Sequence, residues 1–145
     1  MQSPKVLQVR RRVLGEEHPN TLSTMNTLAL LYLNEGKYSQ AGALLRTALN
    51  SWERTTPDSW TRYSCQSMLG ASLAGQKKYA EAELLLGSGY QGMLQRKSII
   101  PAANRFYLEQ AGKWITQLYQ HWGKPVKASE WQKKLRVKLS AASPK

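Results

Sequence analysis

One short stretch of the 145-residue sequence has the spacing of a phosphate-binding loop. Gly87, Gly89 and Gly92 form the pattern Gly-x-Gly-x-x-Gly. In dinucleotide-binding proteins such glycines follow a β-strand and open a helix, so that the backbone can approach a pyrophosphate. Here they continue directly from the helical run at residues 81–86. We therefore expect them to lie inside a helix, where they permit close packing and weaken the helix end, and no nucleotide cofactor is predicted.

Two further glycine patterns resemble catalytic motifs but each lacks an essential residue. Residues 70–74 read Gly-Ala-Ser-Leu-Ala and miss the final glycine of the nucleophile elbow of hydrolases. Gly70 and Gly75 have P-loop spacing, but Gln76 stands where the phosphate-binding lysine is needed. Neither a nucleophilic serine nor a nucleoside triphosphate site is predicted.

The side chains suited to acid–base or metal chemistry are isolated from one another. His18 precedes Pro19 and is expected at the entry of a helix, and His121 has no carboxylate at helical spacing to orient it as a base. Cys65 is the only cysteine, and we expect it to fill a core position. The sequence offers too few ligands for a metal. It therefore predicts no catalytic residue, no metal site and no cofactor, so the protein is not expected to be an enzyme.

Basic residues dominate the charge. Lys and Arg outnumber Asp and Glu by 21 to 9, which gives a formal net charge of +12. Such an excess accelerates encounters with acidic partners and gives any polyanion a nonspecific grip. The cations are spread along the chain, with small clusters at residues 10–12, 77–78, 96–97 and 133–138. Because no nucleic-acid docking motif accompanies them, a basic polyanion- or nucleic-acid-binding module is the less favoured alternative.

The compartment is predicted from features that bear on membranes and redox state. No apolar run approaches the roughly 20 residues that span a bilayer, and residues 1–5 lack the apolar core of a signal peptide. A single cysteine cannot form an internal disulfide, which favours a reducing compartment. We predict a cytoplasmic protein with no membrane partner.

A repeat is the strongest signal in the sequence. Shifting the chain by 41 residues aligns Tyr38 with Tyr79 and Ala41 with Ala82. A third copy follows at a longer offset, where Leu31-Tyr32 matches Leu118-Tyr119 and Ala41 matches Ala128. Each copy is expected to contain two helices joined by a tight turn.

The first copy shows why helices are expected. Five residues follow the i, i+3, i+4, i+7 spacing of one helical face: Leu22, Met25, Leu28, Ala29 and Tyr32. Gly36 then breaks the helix and can adopt a left-handed cap. A second stripe begins at Tyr38 and ends before Pro57. Small residues at Ala29 and Gly70, and at Ala41 and Ala82, leave room for close approach of the paired helices.

These residues resemble the tetratricopeptide repeat of the long-period, kinesin-light-chain-like type. Residues 13–22 look like the linker that opens such a repeat, residues 25–32 like its first helix and residues 36–41 like its turn. In the third copy Pro125 replaces the turn tyrosine and Trp131 replaces a leucine. The resemblance implies an all-α fold, a right-handed α–α superhelix in which the first helices line the concave side.

The predicted organisation is one domain over residues 1–145. Its parts are a remnant of a preceding repeat's second helix (1–17), repeat 1 (18–57), repeat 2 (58–100), repeat 3 with a C-terminal cap (101–139) and a disordered tail (140–145). The expected helices are 4–14, 19–34, 37–54, 58–74, 77–95, 102–122 and 125–139. Val6, Val9 and Val13 are expected to form the apolar stripe of the first one.

The last helix is expected to cap the array. Ala128, Trp131, Leu135 and Leu139 should face inward, while its lysines and Arg136 make the outer side polar.

The resemblance also implies a ligand groove on the first helices. Placing the copies in register predicts these groove residues: Asn26, Leu30, Asn34, Ser67, Ala71, Lys113, Gln117 and His121. Asparagine amides can hold a peptide backbone through paired donor and acceptor contacts. Leu30, Met68, Gln110 and Trp114 stand where a chaperone-tail carboxylate clamp needs polar or basic groups, so that ligand class is disfavoured.

The predicted function is a non-catalytic scaffold that binds a protein or peptide. One context compatible with it is the C-terminal part of a larger bacterial signalling protein, such as a serine/threonine kinase with appended repeats.

Overall fold

The computed structural model describes residues 4–142, with side chains as far as residue 136. Within that range the fold is all-α, and no strand is present. Seven α-helices follow one another: α1 (Pro4–Leu14), α2 (Pro19–Asn34), α3 (Tyr38–Thr55), α4 (Trp60–Gly75), α5 (Tyr79–Gln95), α6 (Phe106–His121) and α7 (Pro125–Ala142). Two 3₁₀ turns, Lys97–Ile99 and Ala102–Asn104, connect α5 to α6. The predicted fold class is confirmed.

The turn inside each helix pair has the same backbone geometry three times. The N–H groups of Lys37, Lys78 and Lys124 each donate to a carbonyl five residues earlier, every time over 2.8 Å. The preceding residue has a left-handed backbone, with φ 76° at Gly36 and 75° at Gly123. This is the bond pattern that closes the C-terminus of a helix and reverses the chain. It brings the second helix back along the first.

The middle turn contains a residue that the sequence analysis did not single out. Lys77 occupies the position of Gly36 and has φ 64°, so a side chain with a Cβ adopts the left-handed conformation. Its neighbour Lys78 has φ −93° and is unstrained. The repeated hydrogen bonds therefore impose the turn even where glycine is missing.

The pairs α2–α3, α4–α5 and α6–α7 stack in order along the chain. Helix α4 packs against both members of the preceding pair, and α6 packs against both α4 and α5. Ala41, Ala82 and Ala128 lie at the seams and are 0%, 0% and 4% exposed. Cys65 is buried in the same core and its thiol contacts the Leu45 carbonyl at 3.6 Å. The predicted solenoid and its small seam residues are thus present.

Aromatic and ionic contacts hold the third pair, whose motif departs most from the other two. Trp122 stacks on Tyr79 of α5 with 5.8 Å between ring centroids. The Tyr119 hydroxyl donates to Glu83 of α5 over 2.8 Å, and Lys127 of α7 approaches the same carboxylate. Burial, with Glu83 as a second cause, raises the pKa of Tyr119 to about 12. These contacts fasten α6 and α7 to α5.

Two predicted helix boundaries differ from the structure by three residues or more. The first helix of the third pair begins at Phe106 rather than 102, because the N–H of Arg105 bonds to Ala102 three residues earlier and makes a 3₁₀ turn. Helix α7 continues to Ala142, so residues 140–142 are helical rather than a tail. Residues 143–145 and the side chain of Leu139 lie outside the described part.

The contact face of α1 also differs from the expected valine stripe. Leu7 is buried at 3% exposure, whereas Val9 and Val13 are 44% and 70% exposed. Arg10 donates to the Thr24 hydroxyl over 2.9 Å, which fixes that side of α1 against α2. Leu7 and Arg10 share one helix face, and Val9 and Val13 lie outside it.

Replacing Ala41 or Ala82 by Leu should lower the free energy of unfolding by about 1–3 kcal/mol, because a larger side chain at the seam forces the helices apart. Urea denaturation measures the change. Ala43→Leu, on the exposed side of the helix that contains Ala41, is the matched control and should leave the midpoint nearly unchanged. Equal midpoints for all three variants would show that the seam tolerates bulk.

Lys77→Gly should raise the free energy of unfolding by about 0.5–1 kcal/mol. Relief of the left-handed conformation is worth about 1–2 kcal/mol, and the greater freedom of the unfolded glycine chain offsets part of it. Lys78→Gly is the control, since its backbone needs no relief and the substitution should not stabilise. Thermal and urea unfolding would contradict this reasoning if Lys77→Gly were the less stable of the two.

Candidate functional site

The first helices of the three pairs meet on one side of the stack, where they enclose a small cavity. It has a volume of about 100 Å³. We call it the concave pocket. Its walls come from α2, α3, α4 and α6, and its lining residues are Leu33, Asn34, Tyr38, Ala71, Ala74, Gly75, Trp114, Gln117, Leu118 and His121.

Small residues of α4 create the space for this pocket. Ala71, Ala74 and Gly75 contribute almost no side chain, while the C-terminal ends of α2 and α6 rise on either side. The Tyr38 ring lies against Gly75 so closely that an added Cβ would overlap it. Tyr38 thus closes the pocket from the side of the second helices.

Four of the eight predicted groove residues come together in the concave pocket. Asn34, Ala71, Gln117 and His121 all line it, although they come from three helices. Asn34, Gln117 and His121 are exposed there, so two amides and an imidazole lie beside the apolar side chains of the pocket. This combination suits a peptide, whose backbone presents donors and acceptors beside an apolar side chain.

The other four predicted residues lie elsewhere. Leu30 is half-buried and packs against the core, and Lys113 lines a neighbouring groove between α6 and α7. Asn26 and Ser67 are only 7% and 1% exposed. A partner bound to this structure cannot reach Ser67 and touches at most the edge of Asn26.

Asn26 and Ser67 are buried because the stack closes tightly around α4. Ten consecutive residues of this helix, Ser64–Leu73, are buried on every side. From α6, the Tyr107 ring lies 6.0 Å from that of Trp60. Burial raises the pKa of Tyr107, and the side chain of Thr27 on α2 partly offsets this. The concave surface is therefore filled over the first half of α4 and open only near its end.

Sequence reasoning missed several lining residues of the concave pocket. Tyr38 belongs to a second helix, which a register of first helices cannot find. Trp114 was considered only as an obstacle to a carboxylate clamp, yet it forms a wall. Leu33 directly precedes the predicted groove residue Asn34, and Ala74 is the equivalent of Leu33 one repeat later. That adjacency was the available signal.

A second, wider groove lies between α6 and α7 and has a volume of about 520 Å³. We call it the end groove. It is lined by Glu109, Lys113, Thr116, Gln117, Gln120, Gln132, Leu135 and Arg136. Only Gln117 belongs to both sites.

The glycine motif and the thiol take structural positions. Gly89 and Gly92 lie inside α5 and pack against Tyr63 of α4, with no room for a Cβ, whereas Gly87 faces open space. Burial, and to a smaller extent Glu53, raises the pKa of the Cys65 thiol far above its usual range, so it is not poised as a nucleophile. Within the described residues no three His, Cys, Asp or Glu side chains gather as metal ligands.

His18 has the helix-entry role expected from the sequence. It is the N-cap of α2, where its Nδ1 accepts a hydrogen bond from the Asn20 N–H over 3.1 Å.

The tetratricopeptide repeat family model matches residues 3–54. A putative kinesin light chain with nearly identical TPR-like repeats from Podosopora anserina is similar in structure, with a TM-score of 0.66, 19% sequence identity and 97% of this chain covered. BtubC (BKLC) from P. vanneervenii is also similar, with a TM-score of 0.70, 18% identity and 97% coverage. This chain spans 65% and 56% of those two solved chains. No curated protein is significantly similar in sequence.

The comparisons confirm the predicted resemblance to kinesin-light-chain-like repeats, and the similarity of the solved structures is one of fold. Among the described helices, none is both long and apolar enough to cross a membrane.

Two buried serines of α4 should respond oppositely to substitution. Ser67 Oγ is buried without a hydrogen-bond partner among the described residues, so Ser67→Ala should leave the free energy of unfolding unchanged or raise it by up to about 1 kcal/mol. Ser72 Oγ donates to the Tyr38 carbonyl over 2.6 Å, so Ser72→Ala should cost about 1–2 kcal/mol. Urea titration of both variants measures the difference. A greater loss of unfolding free energy in Ser67→Ala than in Ser72→Ala would show that the Ser67 hydroxyl is structurally required.

Proposed function

Because residues 3–54 carry a tetratricopeptide repeat, we propose that this protein is a non-catalytic scaffold that holds a protein or peptide in the concave pocket. Such repeats generally mediate protein–protein interaction. The observation that supports the proposal here is the convergence of Asn34, Gln117 and His121, from two different helices, around one small pocket that also has apolar walls.

The size and chemistry of the pocket define what it would hold. About 100 Å³ accommodates one side chain of moderate size, not a cofactor or a folded domain. Trp114 and Tyr38 supply apolar walls with polar edges, which bury area at little entropic cost. The flanking amides would pair with the ligand backbone on either side of that residue. The ligand would therefore be an extended segment anchored by one apolar side chain.

The surrounding surface would affect how fast such a ligand arrives. Six ion pairs in the described part engage six of the nine acidic side chains, so cations remain in large excess. An excess of this kind accelerates the approach of acidic segments. We infer that the preferred ligands carry acidic residues beside the anchor.

A basic polyanion-binding module is the second candidate, and the same excess of cations favours it. The two candidates differ in salt dependence. The logarithm of polyanion affinity falls steeply and linearly with the logarithm of salt concentration, whereas the affinity of a peptide held in the pocket, with only a few acidic residues beside its anchor, falls less. A cytoplasmic location and a role within a larger bacterial signalling protein remain predictions from the sequence.

The proposal is tested with a peptide selected on the immobilised protein from a random phage-displayed library. The double variant Asn34→Ala with His121→Ala should bind that peptide about tenfold more weakly or worse, since each substitution removes a contact worth about 1 kcal/mol. Both side chains are exposed, so the fold should be unchanged. Isothermal titration measures affinity, and circular dichroism verifies the fold.

Lys133→Ala with Lys134→Ala is the matched control on the exposed face of α7. This variant should keep the equilibrium affinity and change mainly the association rate and its salt dependence. If the α7 variant lost binding while the pocket variant kept it, the concave pocket would be excluded and the polyanion candidate favoured.

A further inference from the structure

The end groove repeats an interface that is occupied twice within the protein. The groove between α2 and α3 holds α4, and the groove between α4 and α5 holds α6. The groove between α6 and α7 is built by the same turn geometry and is the equivalent groove of the third pair. Along α6 its lining extends from Glu109 to Gln120, about 16 Å or three helical turns. Its shape is that of a site for one more helix.

The chemistry of the end groove differs from that of the two occupied grooves. In repeat register, Gln132 replaces the fully buried Leu45 and Leu86, and Arg136 replaces Leu49 and Tyr90. On α6, Gln120 likewise stands where Leu33 and Ala74 lie in the earlier pairs. Apolar packing positions have thus become amides and a cation. The helix that fits here must be polar on its contact face.

Charge selects among polar helices. Lys113 and Arg136 both line the end groove, and neither has an ion-pair partner among the described residues. Glu109 is the single acidic residue of the lining. Glutamine amides beside the two cations can donate to carboxylate oxygens as well. The lining is therefore complementary to carboxylates.

Helix α1 of a second copy of this protein does not meet that requirement. Helix α1 contains no acidic residue and carries Arg10, Arg11 and Arg12. Docking it against Lys113 and Arg136 would place like charges together, which is destabilising. Helix α1 of a second copy is therefore not the occupant.

We propose that the end groove binds an α-helix of a partner protein that presents carboxylates to Lys113 and Arg136. The partner helix lies parallel to α6, as α6 does to α4, and extends the solenoid by one helix. Leu135 at the bottom of the groove contacts a small residue of that helix. This surface shares only Gln117 with the concave pocket, and neither set of variants changes Gln117, so the proposed function and this inference can fail independently.

The probe is a synthetic helical peptide of about 18 residues, built on alanine and glutamine, with glutamates spaced three and four apart on one face. Fluorescence anisotropy of the labelled peptide measures affinity for the whole chain. Lys113→Glu with Arg136→Glu should weaken binding about tenfold or more. A peptide with lysines in place of the glutamates should bind this reversed variant and not the natural chain. Such a charge-reversal rescue distinguishes contact from a loss of fold.

Lys133→Glu with Lys134→Glu makes the same change of charge on the exposed face of α7 and serves as the control. It should keep most of the affinity for the acidic helix. Equal weakening by the two double variants would overturn the proposal, since it would show attraction to net charge alone. The absence of binding by the natural chain at millimolar peptide would overturn it as well. A third outcome would also overturn it: duplex DNA binds more tightly than the acidic helix, and its binding is weakened in the same way by Lys113→Glu with Arg136→Glu. The groove would then be a polyanion site.

Discussion

Close approach of the two helices in each pair is the constraint on which the rest of the structure depends. At Ala41, Ala82 and Ala128 the seam is occupied by buried methyl groups. Dispersion contacts decline steeply with separation, so helices held apart by even one extra methylene would lose packing along their whole length. The glycines Gly70 and Gly89 have the same role between α4 and α5, where an added Cβ would lie within 3 Å of the partner helix. The seam therefore sets the spacing that the stack repeats.

That spacing explains why the concave side is mostly closed. Each first helix contacts the next one. Helix α4 therefore packs against α2 and α6, and the second helices α3 and α5 cover the rest of its surface. Tyr107 of α6 also packs beside Trp60 of α4. Only near the end of α4, where Ala74 and Gly75 provide no bulk, does space remain for a ligand. Tight packing thus defines the position of the candidate site as well as the stability of the fold.

The distribution of charge gives the two candidate surfaces different properties. Three ion pairs lie at or near the linkers: Arg54 with Glu17, Arg62 with Glu53 and Arg96 with Asp58. They engage acidic residues around the first two helix pairs, whereas Lys113 and Arg136 have no ion-pair partner among the described residues. Exposed pairs of this kind contribute little to stability individually. Their larger effect is that the positive charge of the molecule remains available to a partner.

The sequence by itself determined the number of helices, their turns and their seams, because these depend on local periodicity, on residues such as Gly36 and on small side chains at fixed spacing. Lys77 shows the limit of that reasoning: its left-handed backbone is imposed by hydrogen bonds common to all three turns and leaves no trace in its residue type. The site was predictable in part. Asn34, Ala71, Gln117 and His121 followed from the repeat register, whereas the burial of Asn26 and Ser67 depends on how tightly neighbouring first helices close over α4. Tyr38 and Tyr107 reach their positions only through packing between helices far apart in sequence. Periodicity specifies which face of a helix a residue occupies, and only the tertiary structure decides whether another helix covers that face.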